Sequence, residues 1–131
     1  KEEALDFVFG YACGNDVSAR IWQRDDLAWW RAKSSDTFGP WGPWITTGLD
    51  PSALELVTRI NGEEIQRSST KSMIFDIPTL ISFFTERMTL EKGDIIFTGT
   101  PGRTGKLHPG DEVEVEISEI GTLCNPVQDE D

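Results

Sequence analysis

The segment Glu112–Ile117 reads EVEVEI, with an acid at every second position and an aliphatic residue at each one between. A period of two belongs to a strand, whose successive side chains point to opposite faces; on a helix the acids would be scattered round the axis. The chain must therefore build a sheet with one wet face and one dry face. That wet face also accounts for part of the charge. The 131 residues carry 23 acidic against 12 basic side chains, a net charge of −11, and residues 107–131 hold eight of the acids and no Lys or Arg. Such a balance works against nucleic acid and membrane surfaces as partners, because both call for a basic footprint. The length allows one domain, residues 1–131 with residues 128–131 as an acidic tail. A domain of this size buries about two-thirds of its unfolded surface, and a hydrophobic content of 37% supports a core.

Around that strand, the run LELVTRI, the pair Asn61-Gly62 and the run EEIQRS predict a hairpin, since Asn-Gly between strand-like runs suits a two-residue turn with positive φ. Residues 76–88, DIPTLISFFTERM, set Ile77, Leu80, Ile81, Phe84 and Met88 at helical spacing behind Asp76 as N-cap and Pro78 in the first turn. LEKGD-IIFTGT and LHPGD-EVEVEI look like two copies of a turn ending in Gly-Asp and then a strand. Nearer the start, residues 2–9 suggest a short helix, residues 9–14 a strand or turn, and Ser18 an N-cap for a short helix running to Arg24. Residues 32–44, AKSSDTFGPWGPW, are rich in Ser, Gly and Pro and predict a loop. About six strands and two or three helices make this a β-rich α+β domain with a mixed or antiparallel sheet.

Cys13 and Cys124 lie far apart with no metal-binding spacing, so a reduced, cytoplasmic protein is expected. No apolar run approaches the roughly 18 residues a membrane helix needs, and Lys1-Glu2-Glu3 does not read as the basic start of a signal peptide.

Several groups could carry chemistry. Asn15-Asp16-Val17-Ser18-Ala19-Arg20 places a carboxylate just before a helix and an Arg one turn later. It reads either as ordinary capping or as a hard-metal ligand with a carboxylate clamp. Lys33 stands between Trp30 and Trp41, as a solvated charge or as a proton donor tuned by neighbouring aromatics. All five tryptophans fall within 23 residues, either as a local core or subunit contact or as the wall of a pocket. Thr98-Gly99-Thr100-Pro101-Gly102 could bring backbone N–H groups and hydroxyls to an anion, although strand-end turns share this composition. His108, the only histidine, sits in a turn and has no Ser or Cys partner of catalytic pattern.

Taken in order, GNDVSAR, Gln23, RAKSSDTFGPWGPWI, VTRINGEEIQRSSTKSMIF, LEKGDIIFTGTPGR, LHPGDEVEVEI and IGTLCNPV resemble the C-terminal catalytic domain of the fumarylacetoacetate hydrolase family over residues 7–127. The resemblance implies a mixed β-sandwich or β-roll, incomplete on its N-terminal side, and a homodimer. It implies a divalent cation, Mg²⁺ or alternatively Mn²⁺ or Ca²⁺, and a small anionic 2-oxo or β-diketo acid substrate. C–C hydrolysis, decarboxylation or isomerisation would proceed through a stabilised enolate, as in the catabolism of aromatic compounds. The hydroxyheptadienedioate isomerase, decarboxylase and acylpyruvase members look most similar. By the same resemblance Asp16 is a metal ligand, Arg20 and Gln23 orient the substrate, Lys33 stabilises enolate charge or transfers a proton, and Thr100 contacts the substrate carboxylate. Two departures stand out: Ile21 replaces an Asp common after the Arg, and the family's E-x-E metal ligands have no counterpart here, because Glu2 and Glu3 read as a helix start. A second reading stays open, a non-catalytic assembly module or an inactive piece of such an enzyme with its tryptophans on a binding face.

Overall fold

The hairpin forms where Asn-Gly predicts it. In the computed structural model, which describes residues 1–129, β3 (Glu55–Ile60) and β4 (Glu63–Ser69) pair antiparallel around Asn61 and Gly62, whose φ values of 53° and 80° are those of a turn twisted to match the strands. The alternating strand β5 (Glu112–Ile117) pairs with β3 on one side and with β6 (Gly121–Pro126) on the other, giving a four-stranded antiparallel sheet in the order β4-β3-β5-β6. Its pattern is realised as written: Val113 and Val115 are buried while the glutamates are not.

A second, two-stranded antiparallel sheet joins β1 (Tyr11–Gly14) to β2 (Trp41–Thr46). The core lies where the two sheets meet, as Cys13 from β1 packs with Leu54, Val115, Ile120 and Leu123. Full burial of an aliphatic side chain contributes about 1.5–3 kcal/mol, so these few residues set how the sheets sit together. The Cys13 thiol donates to the Gly121 carbonyl at 3.1 Å, and the Trp44 indole N–H donates to the Ile120 carbonyl at 2.5 Å. Both cysteines are free.

The helices are short: α1 (Arg20–Asp25), α2 (Trp30–Ser34) and α3 (Ile77–Thr85). In α3 the Asp76 carboxylate accepts from Thr79 N at 2.9 Å, as an N-cap does. The helix stops before Met88, which is exposed.

Four expectations need correction. The helix over residues 2–9 is a single 3₁₀ turn, Ala4–Phe7. Ser18 is not the N-cap of α1; Ala19 holds that position with no side-chain bond, and the Ser18 hydroxyl faces the Asp16 carbonyl instead. Residues 32–44 are not one loop, since α2 takes their start and β2 their end. Gly42-Pro43 fits in β2 because this strand pairs with β1 alone, and a proline on an edge forfeits no ladder bond. Finally, IIFTGT forms no strand. Its Phe97 instead packs onto Gly14, where an added Cβ would come within 2.7 Å of the ring. Of the tail, Gln128 and Asp129 are exposed, and Glu130 and Asp131 lie outside the described residues.

Candidate active site

The polar residues of interest begin where β1 ends. Past Gly14 the chain leaves the ladder, with Asn15 N bonded to the Pro40 carbonyl and Val17 N to the Asn15 carbonyl. This tight turn presents Asp16. Ala19 N then bonds to the carbonyl of Ala32, a fully buried residue of α2, so the start of α1 is tied to the middle of α2. The tie brings Lys33 over Asp16: its ammonium donates to Oδ2 at 2.7 Å, and the two side chains are 27% and 38% exposed. At the first position of α1, Arg20 Nη1 donates to Gln23 Oε1 at 2.6 Å, the i, i+3 pairing a helix provides. Ile21 points away, 68% exposed.

Lys33 was expected in a loop beside tryptophans. It lies in a helix, and its partner is a carboxylate. The cation over an aromatic face is Arg31, whose guanidinium carbon is 5.0 Å from the Trp22 ring centroid. Arg31 also grips Asp26 with two bonds, of 2.5 and 2.7 Å, and these hold the Asp26 carboxyl below its ordinary range. This Trp22–Arg31–Asp26 staple closes the turn between α1 and α2. The sequence carried only a faint sign of it, an Asp and an Arg five residues apart with Trp22 before them.

Thr100 sits on the irregular segment after residue 97, where Gly99 and Gly102 have φ of 105° and 63°. Its hydroxyl accepts from Gln66 Nε2 at 3.1 Å, and the same amide nitrogen donates to the Pro101 carbonyl at 2.6 Å. Four residues further on, Thr104 Oγ1 accepts from Arg20 Nη2 at 3.1 Å. The structure thus pairs Asp16 with Lys33 and Arg20 with Gln23, and brings the Thr100 segment to Arg20 through Thr104. Thr100 itself bonds to none of the other four. Gln66 and Thr104 are polar partners that sequence reasoning did not single out.

The tryptophans do not form one cluster. Trp44 clamps β6, Trp22 backs the staple, and Trp29 and Trp30 are exposed at the head of α2. Trp41 lines a cleft of about 620 Å³ with Asn15, Val17, Phe38 and Leu123. Both neighbours of Asp16 line that cleft, while Asp16 and Lys33 do not. His108 is an exposed turn residue whose N–H donates to Asp111.

For a divalent cation, Asp16 offers one hard carboxylate ligand, half-exposed and already bonded through Oδ2 to Lys33. The described residues contain no group of three His, Cys, Asp or Glu placed to hold a metal, so on their own they do not make a metal site. No helix among them is long and apolar enough to cross a membrane.

The model of the fumarylacetoacetate hydrolase C-terminal domain matches residues 1–128. The chain belongs to the fumarylacetoacetate hydrolase family. Within it, the chain is 49% identical to a Mycobacterium smegmatis 5-carboxymethyl-2-hydroxymuconate delta-isomerase of known crystal structure; the two superpose with a TM-score of 0.97 over 99% of this chain and 52% of that one. It is 43% identical to the oxaloacetate tautomerase YisK of Bacillus subtilis over 97% of its own length and 46% of that protein. A maleylpyruvate hydrolase from a Sphingobium species, solved with manganese(II) and pyruvate, is 37% identical with a TM-score of 0.87 over 97% of this chain and 47% of that one. The chain spans about half the length of the relatives it matches, and its α+β architecture of two antiparallel sheets is that of the family's C-terminal domain.

Proposed function

We propose that the full-length protein is a metal-dependent enzyme acting on small 2-oxo acids through an enolate, in the catabolism of aromatic or related compounds. The observation that carries this reading is the Lys33 ammonium 2.7 Å from Asp16, next to the Arg20–Gln23 pair. With the Lys33 charge balanced by Asp16, Arg20 gives this group an excess of one positive charge in a protein of net charge −11, which favours an anionic substrate that the overall field would repel. The relatives include an isomerase, a tautomerase and a hydrolase. Moving a proton or cleaving a bond next to a 2-oxo group leaves charge on the same oxygen in each case, so one arrangement of donors serves all three.

In this reading Lys33 meets the developing oxyanion and returns a proton to it. Arg20 holds the substrate by the two parallel bonds a guanidinium makes to a carboxylate, and Gln23 fixes the guanidinium. Thr100 donates to a second carboxylate oxygen. Asp16 would be one ligand of a divalent cation such as Mg²⁺ or Mn²⁺, the others coming from outside these 131 residues, and such an ion would polarise the substrate carbonyl. Manganese(II) with pyruvate in the maleylpyruvate hydrolase supports that choice. The enzyme is further proposed to be cytoplasmic and homodimeric, with Leu27, Trp29 and Trp30, all exposed, suited to a face that a second copy covers.

Thermal-shift titration of the full-length protein with Mn²⁺ or Mg²⁺ and oxalate, an enolate mimic, tests the reading. A ligand at 100 times its Kd stabilises by about 2.7 kcal/mol, which raises Tm by roughly 5–10 °C in a protein of 150–250 residues. No shift with either metal and oxalate overturns it.

A further inference from the structure

The segment that carries Thr100 has no strand to hold it. Residues 89–111 contain no helix or strand, and Thr100 and its neighbours at 99 and 102–104 are exposed. Phe97 packs on Gly14 and Gly105 on Ile60 to either side of its middle, and the side chain that hydrogen-bonds the middle of this stretch to the ladder is Gln66 of β4. It is half-buried, and its amide nitrogen makes both the 3.1 Å bond to Thr100 Oγ1 and the 2.6 Å bond to the Pro101 carbonyl. The Pro101 carbonyl can only accept, so that bond identifies the atom facing it as the NH₂ end of the amide and makes the same end the donor to Thr100.

That polarity has a consequence at the hydroxyl. A threonine hydroxyl has one proton and two lone pairs. When Gln66 donates into a lone pair, the proton must go to another acceptor, so Thr100 faces its ligand as a donor. A carboxylate needs that donor, and Gln66 already fills one of the two lone pairs through which the hydroxyl could accept. We infer that Gln66 is a positioning residue of the active site: it fixes both the place and the donor sense of the Thr100 hydroxyl, and so sets affinity for the substrate's carboxylate. The inference rests on the function proposed above. At the far end of the same turn Arg20 holds Thr104, which leaves Gln66 to determine the Thr100 end.

The test uses the full-length protein and two variants, with oxalate affinity by calorimetry, KM and kcat for oxaloacetate, and trypsin cleavage after Arg103 and Lys106. Gln66→Ala removes both bonds; oxalate Kd and KM rise about tenfold, kcat changes less than threefold, and cleavage of the segment accelerates. Gln66→Glu replaces the donor by an acceptor, turns the Thr100 proton inward and adds a negative charge; Kd and KM rise beyond the values for Gln66→Ala, and the excess disappears as pH falls and the new carboxyl protonates. A residue that only stabilised the fold would change kcat and Tm and leave the Ala and Glu variants with equal Kd. Wild-type affinity in Gln66→Ala, or equal Kd in the two variants, overturns the inference while the proposed function stands. Failure of the wild-type protein to bind oxalate with metal overturns the proposed function and the role of Gln66 with it.

Discussion

Replacing Lys33 by methionine removes the ammonium and keeps a side chain of similar length, and the structure fixes what that loss should cost the fold. At 2.7 Å the attraction to Asp16 is worth about 1.5 kcal/mol at the dielectric of water. Side chains 27% and 38% exposed keep water close, and ordering a lysine costs up to about 2 kcal/mol of rotamer freedom. The net is that of a surface pair, about 0.2–1 kcal/mol, or a fall in Tm of about 4 °C at most in the full-length protein. Losing a group that meets an oxyanion in the transition state costs far more, about 100- to 1,000-fold in kcat. Lys33→Met should therefore remain folded and nearly as stable while turnover of oxaloacetate or a related 2-oxo acid falls by that factor. Lys33→Arg restores the charge in a larger, planar group; it should recover the lost stability and only part of the rate. The measurements are a thermal melt and the decay of enol absorbance under saturating substrate. Turnover of Lys33→Met within threefold of wild type, or a loss that simply follows the fraction unfolded, would remove Lys33 from the chemistry.

Two further expectations concern the scaffold. At Gly121, φ is +128° and an added Cβ would lie 2.5 Å from Trp44 Cζ2, so Gly121→Ala should lower unfolding stability by about 1–3 kcal/mol, read from urea melts; a change below about 0.5 kcal/mol contradicts the Trp44 clamp. Asp26, Asp50, Asp76 and Asp111 are held below the ordinary value of 3.8, chiefly by hydrogen bonds from Arg31, Ser52, Thr79 and Asn61 respectively. The unfolded chain then binds more protons than the native one as acid is added, so the stability these groups give is complete above about pH 4 and is lost as pH falls through the lower native values. Tm should fall as pH drops below about 4, and Asp76→Asn should shrink the fall; a flat profile refutes it.

Elements that enforce their own pattern were legible in the chain. Asn61-Gly62 and the alternation in β5 leave one local solution each, and the Asp76 cap fixes where α3 begins. The helix carrying Lys33 was hidden because its five residues have no capping side chain; it is held by tertiary bonds, the Ala19–Ala32 link and the Arg31–Asp26 grip, which no local pattern encodes. IIFTGT misled for the opposite reason. Its composition suits a strand, yet it makes no ladder, and Phe97 is used as packing against Gly14. At the candidate site, likeness of motif proposed the residues, and geometry added contacts that motif could not: Lys33 bonds to Asp16, and Gln66 to Thr100.

The irregular stretch around Thr100 also bears on how such a protein can change. A residue inserted in β5 or β6 would slip a register and turn buried valines toward water, but the chain between residues 98 and 105 is bound to no register and is held by side chains alone. Its length can vary at less structural cost than that of a paired strand. The polar residues anchored by the two sheets are thus conservative by construction, and the segment proposed to meet the substrate's carboxylate is the part open to drift.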